Sequence, residues 1–344
     1  MRFFKHLLLI VVLFASVQAN AQYEILFTQY QMSPLTLNPA LTGAYEGSYR
    51  VGGISRRQWD VPTSTFFTNS VFVDAPLIMV GKRNWIGAGL MMYRDAAGSA
   101  ENRLNQSNVA LSAAFHYALD KKYKNIFTFG LKIGGSSFAF NPTTNDPLTY
   151  TGLAGKSDPD FKNNYPTRKF VDFSAGVMLK SKIDKKSNIT VGVGLGHINS
   201  PRIGLNKATA TTTGYKLPMA FTGHIEYSRD INKKLSIMPS FLFRTISGSK
   251  DGTIQAQVGY KLDPVRKPDL VLKAGLGYRL IQNYNNLCIL IGADYKNFRF
   301  GLGYDIPRAD LATAVNNTLE LSLHYTGKIY KKPVTKGAHF CPKY

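Results

Sequence analysis

Hydrophobic residues in the second half of the chain fall on every other position. Leu270, Leu272, Ala274, Leu276 and Tyr278 alternate with Val271, Lys273, Gly275 and Gly277. Leu287, Ile289, Ile291, Ala293 and Tyr295 alternate with Cys288, Leu290, Gly292 and Asp294. The device returns in Phe298, Phe300, Leu302 and Tyr304 around Arg299, Gly301, Gly303 and Asp305, and in Leu319, Leu321, Leu323 and Tyr325 around Glu320, Ser322 and His324. Period two is strand geometry, with large apolar side chains on one face and small or charged ones on the other. In a soluble sandwich the apolar face meets a second sheet and the polar face meets water. Here glycines and charges share the second face and aromatic residues recur at strand ends. That suits a transmembrane barrel with lipid outside, a crowded polar interior and aromatic girdles.

The same reading extends from Ser48 over up to 14 strands: 48–58, 63–75, 85–94, 104–117, 125–135, 170–180, 189–198, 215–228, 234–246, 253–262, 269–279, 286–296, 297–305 and 316–327. The sequence therefore predicts an all-β chain, a transmembrane up-and-down antiparallel β-barrel of about 14 strands over residues 48–327. The segments 85–94 and 234–246 are less regular and leave 12 or 16 strands open. Alternate connections are short or moderate and basic, such as 80–84, 120–124, 182–186 and 229–234, whereas 95–103, 136–169, 199–214, 247–252 and 306–315 include long Gly/Asn/Thr/Ser-rich loops. Short turns on one rim and long loops on the other match an outer-membrane barrel with its turns in the periplasm.

The ends add three segments. Met1–Lys5, the apolar run 7–17 and Ala19-Asn20-Ala21 read as a signal peptide, residues 1–21, cleaved after Ala21. No later run supplies the ~20 apolar residues of a spanning helix, so membrane residence requires a barrel. Residues 22–47 form an irregular lead-in, broken by Pro34 and Pro39 but too apolar for a free tail, and are expected to pack in the barrel or against it. Residues 328–344 are expected to form a basic periplasmic tail: a docking element, a strap across the barrel mouth, or simply a frayed end.

The formal charge of +21 admits nucleic acid, anionic lipid heads or acidic proteins as partners. An export signal disfavours nucleic acid, leaving outer-membrane lipid and acidic partner surfaces facing the basic rim. Cys288 and Cys341 are too few for a disulfide scaffold, and opposite topological positions disfavour their pairing unless the tail enters the lumen. The alternation turns Lys132, Asp172, Glu226, Arg244, Lys273, Asp294, Arg299 and Glu320 inward, as an interior charged network that either fills the lumen or lines a channel.

Enzyme chemistry finds no constellation. The histidines lack metal-ligand spacing, and Gly192-x-Gly194-x-Gly196 does not precede a helix. Asp146, Asp158 and Asp160 miss the calcium-loop pattern. His224 with Glu226, and Glu320 with Ser322 and His324, share strand faces, but a hydrolase needs nucleophile, base and orienting group to meet in space. No catalytic residue, cofactor or metal is assigned.

Phe27-Thr28-Gln29-Tyr30, Ser33-Pro34-Leu35, Leu37-Asn38-Pro39-Ala40, Thr42-Gly43, Arg56-Arg57-Gln58-Trp59 and Val73-Asp74-Ala75-Pro76-Leu77 resemble the opening of the PorP/SprF family of the type IX secretion system. The likeness continues through Gly87–Leu90, Leu131–Gly134, Val171–Gly176, His197-Ile198-x-x-Pro201 and Gly303–Asp305. It implies a non-catalytic integral outer-membrane protein of a Gram-negative bacterium. Such a protein would support secretion or surface anchoring of particular adhesins, through their C-terminal domains, and associate with periplasmic components of the system, including peptidoglycan-linked ones. Asn38, Pro39, Arg56, Gln58 and Trp59 match the opening motif, with the expected role of fixing the lead-in against the barrel. A passive channel or small-solute transporter is the alternative.

Overall fold

A computed structural model describes residues 25–61, 64–98, 102–142, 167–203, 215–262, 270–281, 284–308 and 317–329. The expected signal peptide, most of the basic tail, Asp146, Asp158, Asp160 and Cys341 lie outside them. The strands are β1 (Tyr49–Val61), β2 (Ser64–Val80), β3 (Asn84–Gly98), β4 (Asn102–Ala118), β5 (Asn125–Pro142), β6 (Arg168–Lys182) and β7 (Ser187–Gly196). Then come the two-residue β8 (Arg202–Ile203) and β9 (Tyr215–Lys216), followed by β10 (Ala220–Asp230), β11 (Leu235–Ile246), β12 (Ser249–Lys261), β13 (Leu270–Ile281), β14 (Tyr284–Tyr295), β15 (Phe298–Arg308) and β16 (Thr318–Gly327). Among the described residues β8 and β9 pair only with each other, as a ribbon in the connection between β7 and β10. The other fourteen form one closed antiparallel barrel, sealed by β1 against β16 with Arg56 directly opposite Glu320.

Closure gives every barrel strand a neighbour on both sides, which a sheet in hydrocarbon requires. The strand number matches the sequence expectation, but several boundaries move outward. β3 runs to Gly98 and β4 begins at Asn102, where a loop over 95–103 was expected. Ser247 and Gly248, both at positive φ, make a two-residue turn where the sequence predicts a loop over 247–252. Conversely, Tyr215 and Lys216 belong to the small ribbon, and the barrel strand expected from residue 215 starts at Ala220. Apolar alternation ends where lipid ends, but hydrogen-bonded pairing continues into water; β5, at 18 residues, exceeds the roughly 9–11 needed to span.

The outer face carries the large apolar residues of the alternation. Leu272 (47% exposed), Phe300 (47%) and Leu321 (53%) all point out of the barrel. Replacing Leu321 by Arg is expected to cost about 2–4 kcal/mol in urea-unfolding equilibria from lipid vesicles, the cost of a charge near the bilayer midplane. A cost near zero would place Leu321 outside the hydrocarbon.

The inner face also carries large apolar side chains beside the glycines and charges. Phe72, Met91, Met178 and Leu242 are buried there and meet the lead-in. The lead-in folds as three single turns: Tyr30–Met32 and Pro39–Leu41 of the 3-10 type and Pro34–Leu37 of the α type. Pro34 and Pro39 each open a turn, where the missing N–H costs nothing. Leu35 packs on Phe72, Met91 and Ala110; Leu26 and Tyr30 on Leu242; Phe27 and Met32 on Ile54; Ala40 and Ala44 on Met178. This segment supplies much of the barrel's core.

Candidate functional site

The lead-in is held on the inner wall at three places. The first seat takes residues 25–29. Thr28 N and Gln29 N donate to the two carboxylate oxygens of Glu320 (2.7 and 2.9 Å). Gln255 donates to Thr28 O (2.7 Å), Arg244 to Ile25 O (2.8 Å), and Arg56 to Leu26 O. The Thr28 hydroxyl lies 2.6 Å from Asp305 and accepts from Arg279 at 2.7 Å. Arg279 also approaches Asp305 at 3.4 Å, Arg56 approaches Glu320 at 3.6 Å, and Arg244 approaches Asp251 at 3.7 Å. Three guanidinium groups and three carboxylates are buried together, so the charges balance within the wall. Such a group is tolerable away from water only when charges pair and remaining polar atoms find partners, and here the lead-in backbone supplies several of them.

The same face of β16 grips the segment repeatedly. Glu320 takes residues 28 and 29, the Ser322 hydroxyl donates to Gln29 Oε1 (2.9 Å), and His324 Nε2 meets Met32 O (2.6 Å). A carbonyl oxygen only accepts, so that nitrogen carries the proton. The Glu–Ser–His run on β16 is thus a row of fasteners.

The second seat is centred on Asn38, which is fully buried. Its Oδ1 accepts from Ala40 N (2.9 Å), closing the turn at Pro39. Its Nδ2 reaches Val177 O and Val193 O (3.2 Å each) and lies 3.3 Å from His224 Nε2. The approach requires glycine in the wall: a Cβ on Gly176 would collide with Asn38 Oδ1, as one on Gly301 would with Gln29 Oε1. Asn38→Ala is expected to lose about 2–3 kcal/mol, because it removes a cap and leaves buried polar groups unpaired. Urea unfolding of the purified barrel measures it.

The third seat holds residues 42–45. Gly43 N donates to Asp74 (2.7 Å), whose carboxylate also receives Arg50 Nε and Nη2 (3.0 and 2.9 Å). The Tyr45 hydroxyl donates to Asp74 O (2.6 Å), and Arg50 covers the Tyr45 ring at 4.4 Å. His116 Nε2 donates to Thr42 O (2.8 Å) while its ring stacks on Trp85 at 4.5 Å.

The motif residues singled out from sequence therefore separate. Arg56 belongs to the first seat and Asn38 with Pro39 to the second. Gln58 is half-buried in β1 opposite Phe66, and the Trp59 side chain lies outside the described residues. The eight interior charges also divide into groups. Glu320 and Arg244 join the first seat. Lys273, Asp294 and Arg299 form a separate triad (2.7 and 3.0 Å) towards the turn rim. Asp172 pairs with His197 (2.9 Å), Glu226 lies 3.9 Å from His224, and Lys132 donates to Leu35 O (3.3 Å). Asp305, already on the inward face of its alternation, joins the first seat, as do Arg279 and Asp251, which the sequence reading did not single out. The same alternation carried two residues towards the loops, from Gly277 to Arg279 and from Thr253 to Asp251, turns both inward.

The turn rim keeps its basic character. Asp184 accepts from Lys186 N (2.6 Å) and the Ser187 hydroxyl (3.1 Å), and these bonds, the Lys186 N–H foremost, hold its carboxyl below the usual range. Asp120 likewise accepts from the backbone of Lys122, Lys124 and Asn125. These acids organise the turns, while Lys121, Lys122, Lys185 and Lys186 are exposed.

A closed fourteen-strand wall with an apolar exterior, and with residues 25–45 fastened to its inner face, defines an outer-membrane β-barrel. The chain belongs to the PorP/SprF family: residues 19–325 match the family described as type IX secretion system membrane protein PorP/SprF. The family is non-catalytic. No curated protein matches the sequence. Among solved structures, the fold is similar to the TodX deltaS2S3 mutant monoaromatic hydrocarbon channel (TM-score 0.54, 10% identity, 91% of this chain and 97% of the other). It is also similar to the Ralstonia pickettii toluene transporter TbuX (TM-score 0.53, 12% identity, 85% and 92%) and the CymD monoaromatic hydrocarbon channel (TM-score 0.54, 12% identity, 91% and 96%). At these identities the likeness is one of fold.

Proposed function

We propose that this barrel is a non-conducting accessory of type IX secretion that supports export or surface anchoring of specific adhesin-like proteins. The observation that supports this reading most is the occupied lumen. A segment of the chain crosses it, bonded to β1, β11, β12, β13, β15 and β16 at one seat and to β6, β7 and β10 at another. A conduit for a polypeptide or for freely diffusing solutes needs open space there; a docking body needs only its rims. In this reading the long loops receive the C-terminal domain of the secreted adhesin. The basic turns and the tail meet acidic faces of periplasmic, peptidoglycan-linked components.

Crosslinking in native outer membranes followed by pull-down tests the proposal. Recovery of a secreted protein's C-terminal domain is expected, reduced when 136–169 is shortened, together with loss of that protein from the surface on gene deletion. Recovery of lipid and general porins alone, with surface display unchanged, would overturn it.

A further inference from the structure

The outer wall is interrupted by a hollow of about 720 Å³ spread over β10 to β14. Its origin is a pair of small residues on one rung. Pro239 of β11 faces Ala256 of β12, which in turn faces Leu276 of β13, and all three lie on the outward phase of their strands. One outward rung nearer the loops stands a ridge of large side chains, in which Phe241, Ile254 and Tyr278 are consecutive neighbours. Tyr227 of β10 closes the far side. Strands lie about 4.8 Å apart, so two small neighbours between large ones leave a trough of the order of a hydrocarbon chain's width.

The ladder is also incomplete there. Between β10 and β11 the paired positions pass from Glu226 opposite Ser240 directly to Arg229 opposite Ile237. Tyr227 and Ser228 thus have no ladder partners in Pro239 and Met238. Proline has no N–H to give to a ladder, which is why it is scarce inside sheets. The trough therefore coincides with a stretch of wall that fewer rungs hold together.

We infer that this trough is a binding site for one acyl chain of a membrane lipid. It is continuous with the lipid-facing belt, since Ile225, Phe241, Ile254, Leu276 and Tyr278 are all exposed on the outside of a membrane-embedded wall. Its lining is almost wholly apolar, so a linear hydrocarbon fits it and a polar ligand does not. A chain in the trough fills space against Pro239 and Ala256 that lipid packing over a uniformly large-residue surface would not contact, which distinguishes the site from the remaining belt.

Photolabelling tests it. The full-length barrel is reconstituted in vesicles of phosphatidylethanolamine and phosphatidylglycerol with a trace of phosphatidylethanolamine carrying a diazirine on one acyl chain. Peptides containing Pro239–Phe241 and Ile254–Leu276 are expected to carry on the order of fivefold more label than those with Leu131 and Ile133 or Val171 and Phe173, corresponding to about 1 kcal/mol of preference. Ala256→Phe, which fills the trough from the lipid side, should bring the labelling down to that of the belt. Ala256→Leu serves the same purpose if the Phe variant does not regain heat-modifiable mobility. Even labelling around the wild-type belt, or enrichment that survives a folded filling variant, overturns the site.

Discussion

Glu320→Ala will release the front of the lead-in and destabilise the barrel by about 3–5 kcal/mol, the range for leaving one partner of a buried ion pair uncompensated. Glu320 is fully buried, and its two oxygens serve Thr28 N and Gln29 N while its charge faces Arg56. Removing the carboxylate strands a guanidinium and two backbone N–H groups in one step. Glu320→Gln keeps an acceptor but loses the charge, so its cost should fall between wild type and alanine. Urea unfolding gives the energies, and limited proteolysis gives their location, as faster cleavage between residues 25 and 33. An alanine variant within about 0.5 kcal/mol of wild type, with an unchanged cleavage pattern, would mean that the first seat does not hold the segment.

Deleting residues 25–44 is expected to turn a silent barrel into a conducting one. The segment fills the lumen with Leu35, Tyr30, Phe27 and Asn38, all buried, and its removal exposes the charges of the first seat to water. In planar bilayers the full chain should show no stepwise current and the deletion variant should show clear steps, because a lumen lined by charge conducts once it is wet. Heat-modifiable mobility confirms that the shortened chain still closes. The combined change Asn38→Ala with Glu320→Ala is a gentler route to the same opening if it does not. Equal conductance of the intact and shortened proteins would favour the passive-channel reading over the accessory one.

The outside of the barrel was readable from residues alone because lipid asks one thing of each outward position. Leu272, Phe300 and Leu321 satisfy it, and period two then fixes which residues face inward. The interior was harder for three physical reasons. First, strands continue beyond the hydrocarbon, so Asp251 lies outside the expected 253–262 and Arg279 at the very end of 269–279, whereas the strands run Ser249–Lys261 and Leu270–Ile281. Second, a list of inward charges does not say which are neighbours: Lys273 and Glu320 share the inner face but sit in different groups. Third, much of the fastening joins side chains to the lead-in backbone. Glu320 with Thr28 N, Arg244 with Ile25 O and His324 with Met32 O leave no complementary residue type in the sequence. Gly176 was visible as an inward glycine, but only the position of Asn38 gives it a reason.

The Arg56–Glu320 contact couples two events that would otherwise be separate. These residues are opposite each other where the first and last strands meet, and both bind the lead-in. A sheet still open along that edge lacks half of the clamp, and an empty clamp leaves that edge poorly bonded. Sealing the cylinder and stoppering it are therefore mutually reinforcing. A chain that reaches the membrane without its N-terminal segment in place should be slow to zip shut, and one that has zipped shut should already be corked.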